Sequence, residues 1–169
     1  MAYGLLFLRI VIGLTFFGHG AQKLFGWWDG PGLQGIQGWL GGMGFRMPRV
    51  LALLVSVSEA SGLLLAFGFL TPLAALLVTS AMVVAIISVH WKNGFWSSKG
   101  GYEYNLALIA GAVTLAATGP GRFSLDRAFG WDDNLSGLWW GVGVVVLAVV
   151  GAGFVLTALR STPPEQSAT

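Results

Sequence analysis

Seven polar side chains stand out in an otherwise apolar chain: Arg9, His19, Lys23, Glu59, His90, Glu103 and Asn105. An imidazole and a carboxylate can take up and return protons, which is what reduction or oxidation of a quinone requires. Glu59 lies about ten residues into its apolar run and His19 about seven from the end of its own. At about 1.5 Å per helical residue the two reach similar depths. They form the candidate proton-exchanging pair. Lys23 lies one turn from His19 on the same helix face. His90 ends one run and Glu103 opens the next, with Asn105 just inside it. Together with Arg9 these are the candidate ligand-binding residues. Arg9 sits nearer the opposite end, and its long side chain is expected to reach Glu59 as a structural partner. Plainer roles exist for some of them. Glu103 at a helix N-terminus and His90 at a C-terminus suit the helix dipole, and a lysine in the position of Lys23 suits snorkelling to an interface.

These groups need a scaffold, and composition says what kind. Of 169 residues, 55% are apolar and 9% charged, against about 25% charged in soluble domains. Nine Lys and Arg with seven Asp and Glu cannot cover the surface of a soluble globule, so lipid is the solvent for most of the chain. That excludes a soluble globular domain, a disordered chain and a nucleic-acid binder. A net charge of +2 is no basic patch. With no cysteine, disulfides, Cys-ligated zinc, Cys-ligated iron–sulfur clusters and thiol relays are excluded as well.

Five apolar runs approach the roughly 20 residues that a helix needs to cross a bilayer. They extend over about 2–26, 49–70, 72–91, 104–119 and 137–159, the fourth being the shortest. The runs are continuous and do not alternate with period two, which argues for helices over a barrel. The first run has no basic leader and is interrupted by Arg9, so it reads as a retained helix. The expected fold is all-α and polytopic: a four-helix transmembrane bundle over residues 1–127, then an outer loop and a fifth transmembrane helix over 128–160. The tail 161–169 reads as disordered. All eight tryptophans fall near the ends of runs, where an indole meets both lipid and water. Lys23, Arg46, Arg49, Lys92, Lys99 and Arg160 lie on one side, against Arg122 and Arg127 on the other. The richer side is expected to be cytoplasmic, with the N-terminus outside.

Between the first two runs, Leu33, Ile36, Leu40 and Met43 recur at helical spacing opposite Gln34 and Gln37. This predicts a short interfacial helix, with Asp29 as its cap and Pro31 in its first turn. The tight turn Leu70–Thr71–Pro72 joins runs two and three. The stretch Gly119–Asp126 ends the fourth run, with Ser124 and Asp126 placed to bind backbone N–H groups. Arg122 in that stretch is either part of a rigid outer loop or a binding residue. Small residues four apart, as in Ser58–Gly62–Ala66, allow close helix approach. The fifth run has no ionisable residue and offers only a lipid or subunit contact. Gly30–Gly35 fits a dinucleotide-loop pattern, but no strand precedes it.

In order along the chain stand Leu8-Arg9, Gly18-His19-Gly20-Ala21-Gln22-Lys23-Leu24-Phe25-Gly26, Glu59-Ala-Ser-Gly62, Gly68-Phe-Leu-Thr71-Pro72, Val89-His90, Gly101-Tyr-Glu103-Tyr-Asn105 and Gly119-Pro-Gly-Arg122-Phe-Ser-Leu-Asp126. That ordered set, over about residues 4–127, resembles the DoxX family of bacterial membrane proteins. The family is similar to the membrane subunit of thiosulfate:quinone oxidoreductase and has a four-helix core, so the resemblance implies a bacterial inner-membrane protein in a quinone-linked setting. The fifth helix departs from that pattern. No recognisable motif binds a redox metal, flavin or haem, so in redox chemistry a partner must bring the electrons or the cofactor, with quinone left as the ligand this chain itself could take. The expected function is a membrane subunit of a quinone-linked oxidoreductase or respiratory-type assembly, with other complex subunits and lipid as partners. The rivals are a purely structural accessory subunit and a small proton-coupled transporter.

Overall fold

The computed structural model describes residues 2–159, and among them every regular element is helical. Arg160 and the tail read as disordered lie outside the described residues. The main helices are α1 (Ala2–Phe25), α2 (Gly32–Gly42), α3 (Pro48–Ala60), α4 (Gly62–Phe67), α5 (Thr71–Ala85), α6 (Glu103–Thr118), α7 (Leu125–Ala128) and α8 (Leu138–Ala158). Helix α5 runs on through a π turn (Ile86–His90) and a 3-10 turn (Trp91–Asn93). Helices α3 and α4 form one span, interrupted only at Ser61.

Four helical segments are long and apolar enough to cross a membrane: Ala2–Phe25, Pro48–Phe67, Thr71–Asn93 and Leu138–Ala158. Helix α6, expected as the fourth of five spans, has 16 residues. That is about 24 Å of helix against a core of about 30 Å. Its shortness is made up by protein: Gly119 and Pro120, where it ends, are buried inside the bundle. Helix α5 is central and packs on α8, α6, α3 and α4, while α1 packs on α4, α3, α2 and α6. The main core gathers Ile12, Phe16, Leu65, Val78, Leu108, Leu115 and Val144 from these helices. The predicted interfacial helix is α2. It buries Ile36 and Leu40 against Phe45, Leu51 and Ala52, so it dips into the bundle. Asp29 is not its cap: it sits in a 3-10 turn at φ 58, and the chain enters α2 from Pro31.

Helix contacts in lipid gain little from apolar burial, so close packing of small residues takes over. A Cβ on Gly13 would lie 2.5 Å from the backbone of both Gly62 and Ala66. On Gly62 it would lie 2.6 Å from the Phe16 side chain and closer still to the Gly13 carbonyl. No room for a methyl exists at either glycine. We expect Gly62→Ala to force α1 and α4 apart and lower stability by about 2 kcal/mol. Gly38→Ala, where nothing lies within 4 Å, should be neutral or slightly stabilising. Thermal unfolding of the two variants in one detergent checks the contrast.

Candidate functional site

One seam of α1, Gly13–Phe16–Gly20, is buried. Lys23 continues it with the same three- and four-residue steps. A Cβ on Gly20 would run into the backbone of Glu59 and Ala60, so α1 and α3 touch there through their main chains. One turn further on, Lys23 Nζ donates to Glu59 Oε1 in an ion pair. Glu59 is 3% exposed, whereas about a quarter of the Lys23 side chain remains accessible. An ionisable group at depth in a membrane costs about 2.5–3.5 kcal/mol on insertion scales, and the ammonium group offsets part of that. The compensation is incomplete, because Glu59 Oε2 is buried with no hydrogen-bond partner. A buried acceptor left unmade costs about 1–3 kcal/mol.

Glu59 and Lys23 line a cavity of about 270 Å³, near the lower end of the roughly 300–1,000 Å³ of small-molecule sites. Its walls come from α2 (Ile36, Leu40), α3 (Leu51, Val55), α5 (Ala81, Val84) and α8 (Ala152, Val155). Trp39 and Leu54, both exposed, also line it, so it reaches the outside of the bundle. The π turn adds Ser88 to the lining, and Ser88 Oγ is a second buried atom with no partner. A π turn widens the helix locally and is common at functional sites. An apolar cavity holding an unpaired acceptor and an unpaired hydroxyl suits a mostly apolar ligand carrying oxygen or O–H groups.

The other sequence candidates are elsewhere. His19 is exposed on α1 and does not line the cavity. It lies beside the buried seam, and only Lys23 of that (i, i+4) pair falls in line with it. Arg9 does not meet Glu59. It is 2% exposed and donates from Nε to Ala66 O (3.0 Å), from Nη1 to Pro120 O (2.6 Å) and from Nη2 to Phe123 O. His90 Nδ1 donates to Gly100 O at 2.7 Å, and Glu103 Oε2 accepts from Ser97 N and Oγ at 3.0 Å. Both shape the loop between the π turn and α6. Asn105 Nδ2 donates to Met82 Sδ at 3.2 Å, tying α6 to α5. Sequence reasoning missed the wall that α8 provides, because its Ala and Val carry no polar mark. It also missed the reach of Asp126. That carboxylate, 0% exposed, accepts from Leu70 N (2.7 Å), Thr71 N (3.0 Å) and Thr71 Oγ1 (2.7 Å). It thereby caps α5 from across the chain. Among the described residues no three His, Asp or Glu are grouped to hold a metal ion.

Removing the Arg9 guanidinium would strand carbonyls inside the bundle. Arg9→Met should destabilise the protein by about 3 kcal/mol or more. Arg9→Lys should recover only part of the loss, since one ammonium cannot reproduce the planar fork across three acceptors. Midpoints of thermal unfolding for the three proteins give the comparison.

The sequence model of the DoxX family matches residues 4–91, from the start of α1 to just past the π turn. The chain is 31% identical over 124 residues to "Putative oxidoreductase CatD" of Bacillus subtilis, covering 73% of this chain and 84% of the relative. It is 30% identical over 129 residues to "Inner membrane protein YphA" of Escherichia coli, covering 73% and 88%. "Inner membrane protein YqjF" of Escherichia coli is 31% identical over 124 residues, covering 73% and 90%. No solved structure matches the chain significantly.

Proposed function

This chain belongs to the DoxX family of multi-pass membrane proteins, and we propose that it serves as the membrane subunit of a quinone-linked oxidoreductase assembly. The observation that carries the reading is the Glu59 carboxylate: buried, held by Lys23 through one oxygen, unpaired through the other, and lining an apolar cavity. A scaffold role has no use for that unsatisfied oxygen, while a ligand with a hydroxyl or protonated oxygen supplies what it lacks. The oxidoreductase name of the Bacillus subtilis relative favours the redox setting.

In this reading Glu59 Oε2 accepts the hydrogen bond of one quinol hydroxyl and takes its proton as the ring is oxidised, the second hydroxyl losing its proton to water at the cavity mouth as two electrons leave. In the reductive direction it returns the proton. Lys23, paired to Oε1, holds the carboxylate in place beside the cavity. Ser88 Oγ is a hydroxyl available to orient a second ligand oxygen. The electrons pass to or from a redox cofactor on a partner subunit. His19, outside the cavity, has no part in the transfer.

The test is quinone retained by the protein. Wild type and Glu59→Gln are purified in mild detergent from a quinone-containing host, and the extracted quinone is measured per mole of protein. We expect the variant to insert normally, to retain about tenfold less quinone and, with its redox partner, to lose about 100-fold or more of quinone-dependent turnover. Equal retention and equal turnover would sink the assignment. A wild type that carries subunits but no quinone would point to the scaffold reading.

We further propose that the end bearing Lys23, Arg46, Arg49, Lys92 and Lys99 faces the cytoplasm. Since the chain has no cysteine, an introduced one is a unique handle. Ala128→Cys should react with a membrane-impermeant maleimide in cells whose inner membrane is intact, and Ser98→Cys only after that membrane is permeabilised. The reverse labelling would invert the topology.

A further inference from the structure

A groove of about 600 Å³ lies at the Arg9 end of the bundle, away from the Glu59 cavity. Its two halves differ in chemistry. Along α1 run Leu6, Ile10 and Leu14, one turn apart, facing Leu63 and Phe67 of α4. From Leu6 to Leu14 this apolar track is about 12 Å long. At its head are Arg9, Arg122 and Arg127, and no Asp or Glu lines the groove.

The nearby carboxylates are engaged elsewhere. Asp126 is turned onto Leu70 and Thr71, and Asp132 accepts from Arg127 at 2.8 Å. Arg9 is held by three carbonyls, whose dipoles share its charge without cancelling it. Arg122 is exposed and makes no hydrogen bond or ion pair with a described residue. A guanidinium free to reach an anion thus stands beside a second, buried guanidinium, at the top of an apolar track.

We propose that this groove binds one anionic phospholipid, with its phosphate on Arg122 and an acyl chain along Leu6, Ile10 and Leu14. A guanidinium fork matches two phosphate oxygens, and the net negative charge of the lipid complements a head where Arg122 has no carboxylate partner and Arg9 is held by carbonyls, Arg127 being paired with Asp132. A free inorganic anion would satisfy Arg122 but leave the apolar track uncovered. A zwitterionic lipid would cover the track but bring its own cation to the arginines. The bound lipid would span α1, α4 and the turn after α6, the elements that Arg9 joins from inside.

The test uses full-length protein in detergent, titrated with phosphatidylglycerol, phosphatidylcholine or inorganic phosphate and followed by thermal unfolding. Native mass spectrometry reports retained lipid. Phosphatidylglycerol should raise the unfolding midpoint saturably, with phosphatidylcholine doing so at clearly higher concentration and phosphate not at all. Arg122→Gln should weaken the phosphatidylglycerol response about fivefold without moving the midpoint of the lipid-free protein, and Arg122→Lys should restore part of it. Ile10→Trp, which fills the track and leaves every charge in place, should weaken binding as well. Equal responses to the two lipids, or an Arg122→Gln variant that binds like wild type, would overturn the proposal. Stabilisation by phosphate that matches and competes with the lipid would reassign the groove as a site for free anions.

Discussion

A guanidinium buried to 2% exposure must be satisfied by protein, and the whole Arg9 end of this molecule is arranged to do so. The three acceptors come from different places. Ala66 O lies in the last turn of α4, where helical carbonyls lack their own partners. Pro120 O and Phe123 O belong to the irregular stretch after α6. Irregular backbone at membrane depth is tolerated only where protein satisfies it. Helix α6 is too short to carry the chain clear of the membrane, so its following loop turns back inside the bundle, and Arg9 is what makes that burial affordable. The packing leaves no slack. Gly68 adopts φ 62, and a Cβ there would lie 2.6 Å from both Arg9 Nη1 and Ser124 Cβ. Asp126 does the complementary work with the opposite charge, binding the N–H groups at the start of α5.

The two ends of α1 thus hold ionisable groups in different states of completion. Each Arg9 nitrogen donates to a carbonyl, and both Asp126 oxygens accept from α5. At the other end Glu59 has one oxygen paired and one orphaned. Native interiors rarely keep an unpaired buried acceptor without a reason. A fully bonded charge fixes structure and has no capacity left for a ligand. A partly bonded one, beside a cavity, has that capacity. This difference, more than residue type, is what sets the two pairs apart, since both consist of a basic side chain on α1 and a carboxylate close by.

Much of the architecture was legible in the sequence because the bilayer imposes it: continuous apolar runs, tryptophans at their ends and a glycine-rich non-spanning segment each have one simple reading in lipid. The site was legible in part. Glu59 stood out as a carboxylate deep in a span. Its partner was misread because Arg9, His19 and Lys23 share one helix, and depth alone ranked His19 first. The close Gly13–Phe16–Gly20 seam decides the matter by turning Lys23 toward α3 and His19 away. The carbonyls that take Arg9 were invisible for a plainer reason: every residue has one, so an acceptor in the main chain leaves no mark in the sequence. Helix α8 gave no warning either. Its purely apolar face suggested a docking surface, yet Gly151, Ala152 and Val155 close the cavity.

The geometry of α1 also bears on the role proposed for Glu59. Arg9 and Lys23 are separated by about 21 Å along the helix. Between them Ile12 and Phe16 are buried in the core with Leu65 and Val78. That middle layer carries no charge on α1, and Gly13 is pressed against the α4 backbone. In the proposed role, exchange at Glu59 would run through the cavity and past the partly accessible Lys23, at the end of the bundle where Trp39 and Leu54 open it to the surroundings. A ligand seated in the cavity would stand across that opening and meet the Glu59 oxygen that Lys23 leaves unpaired.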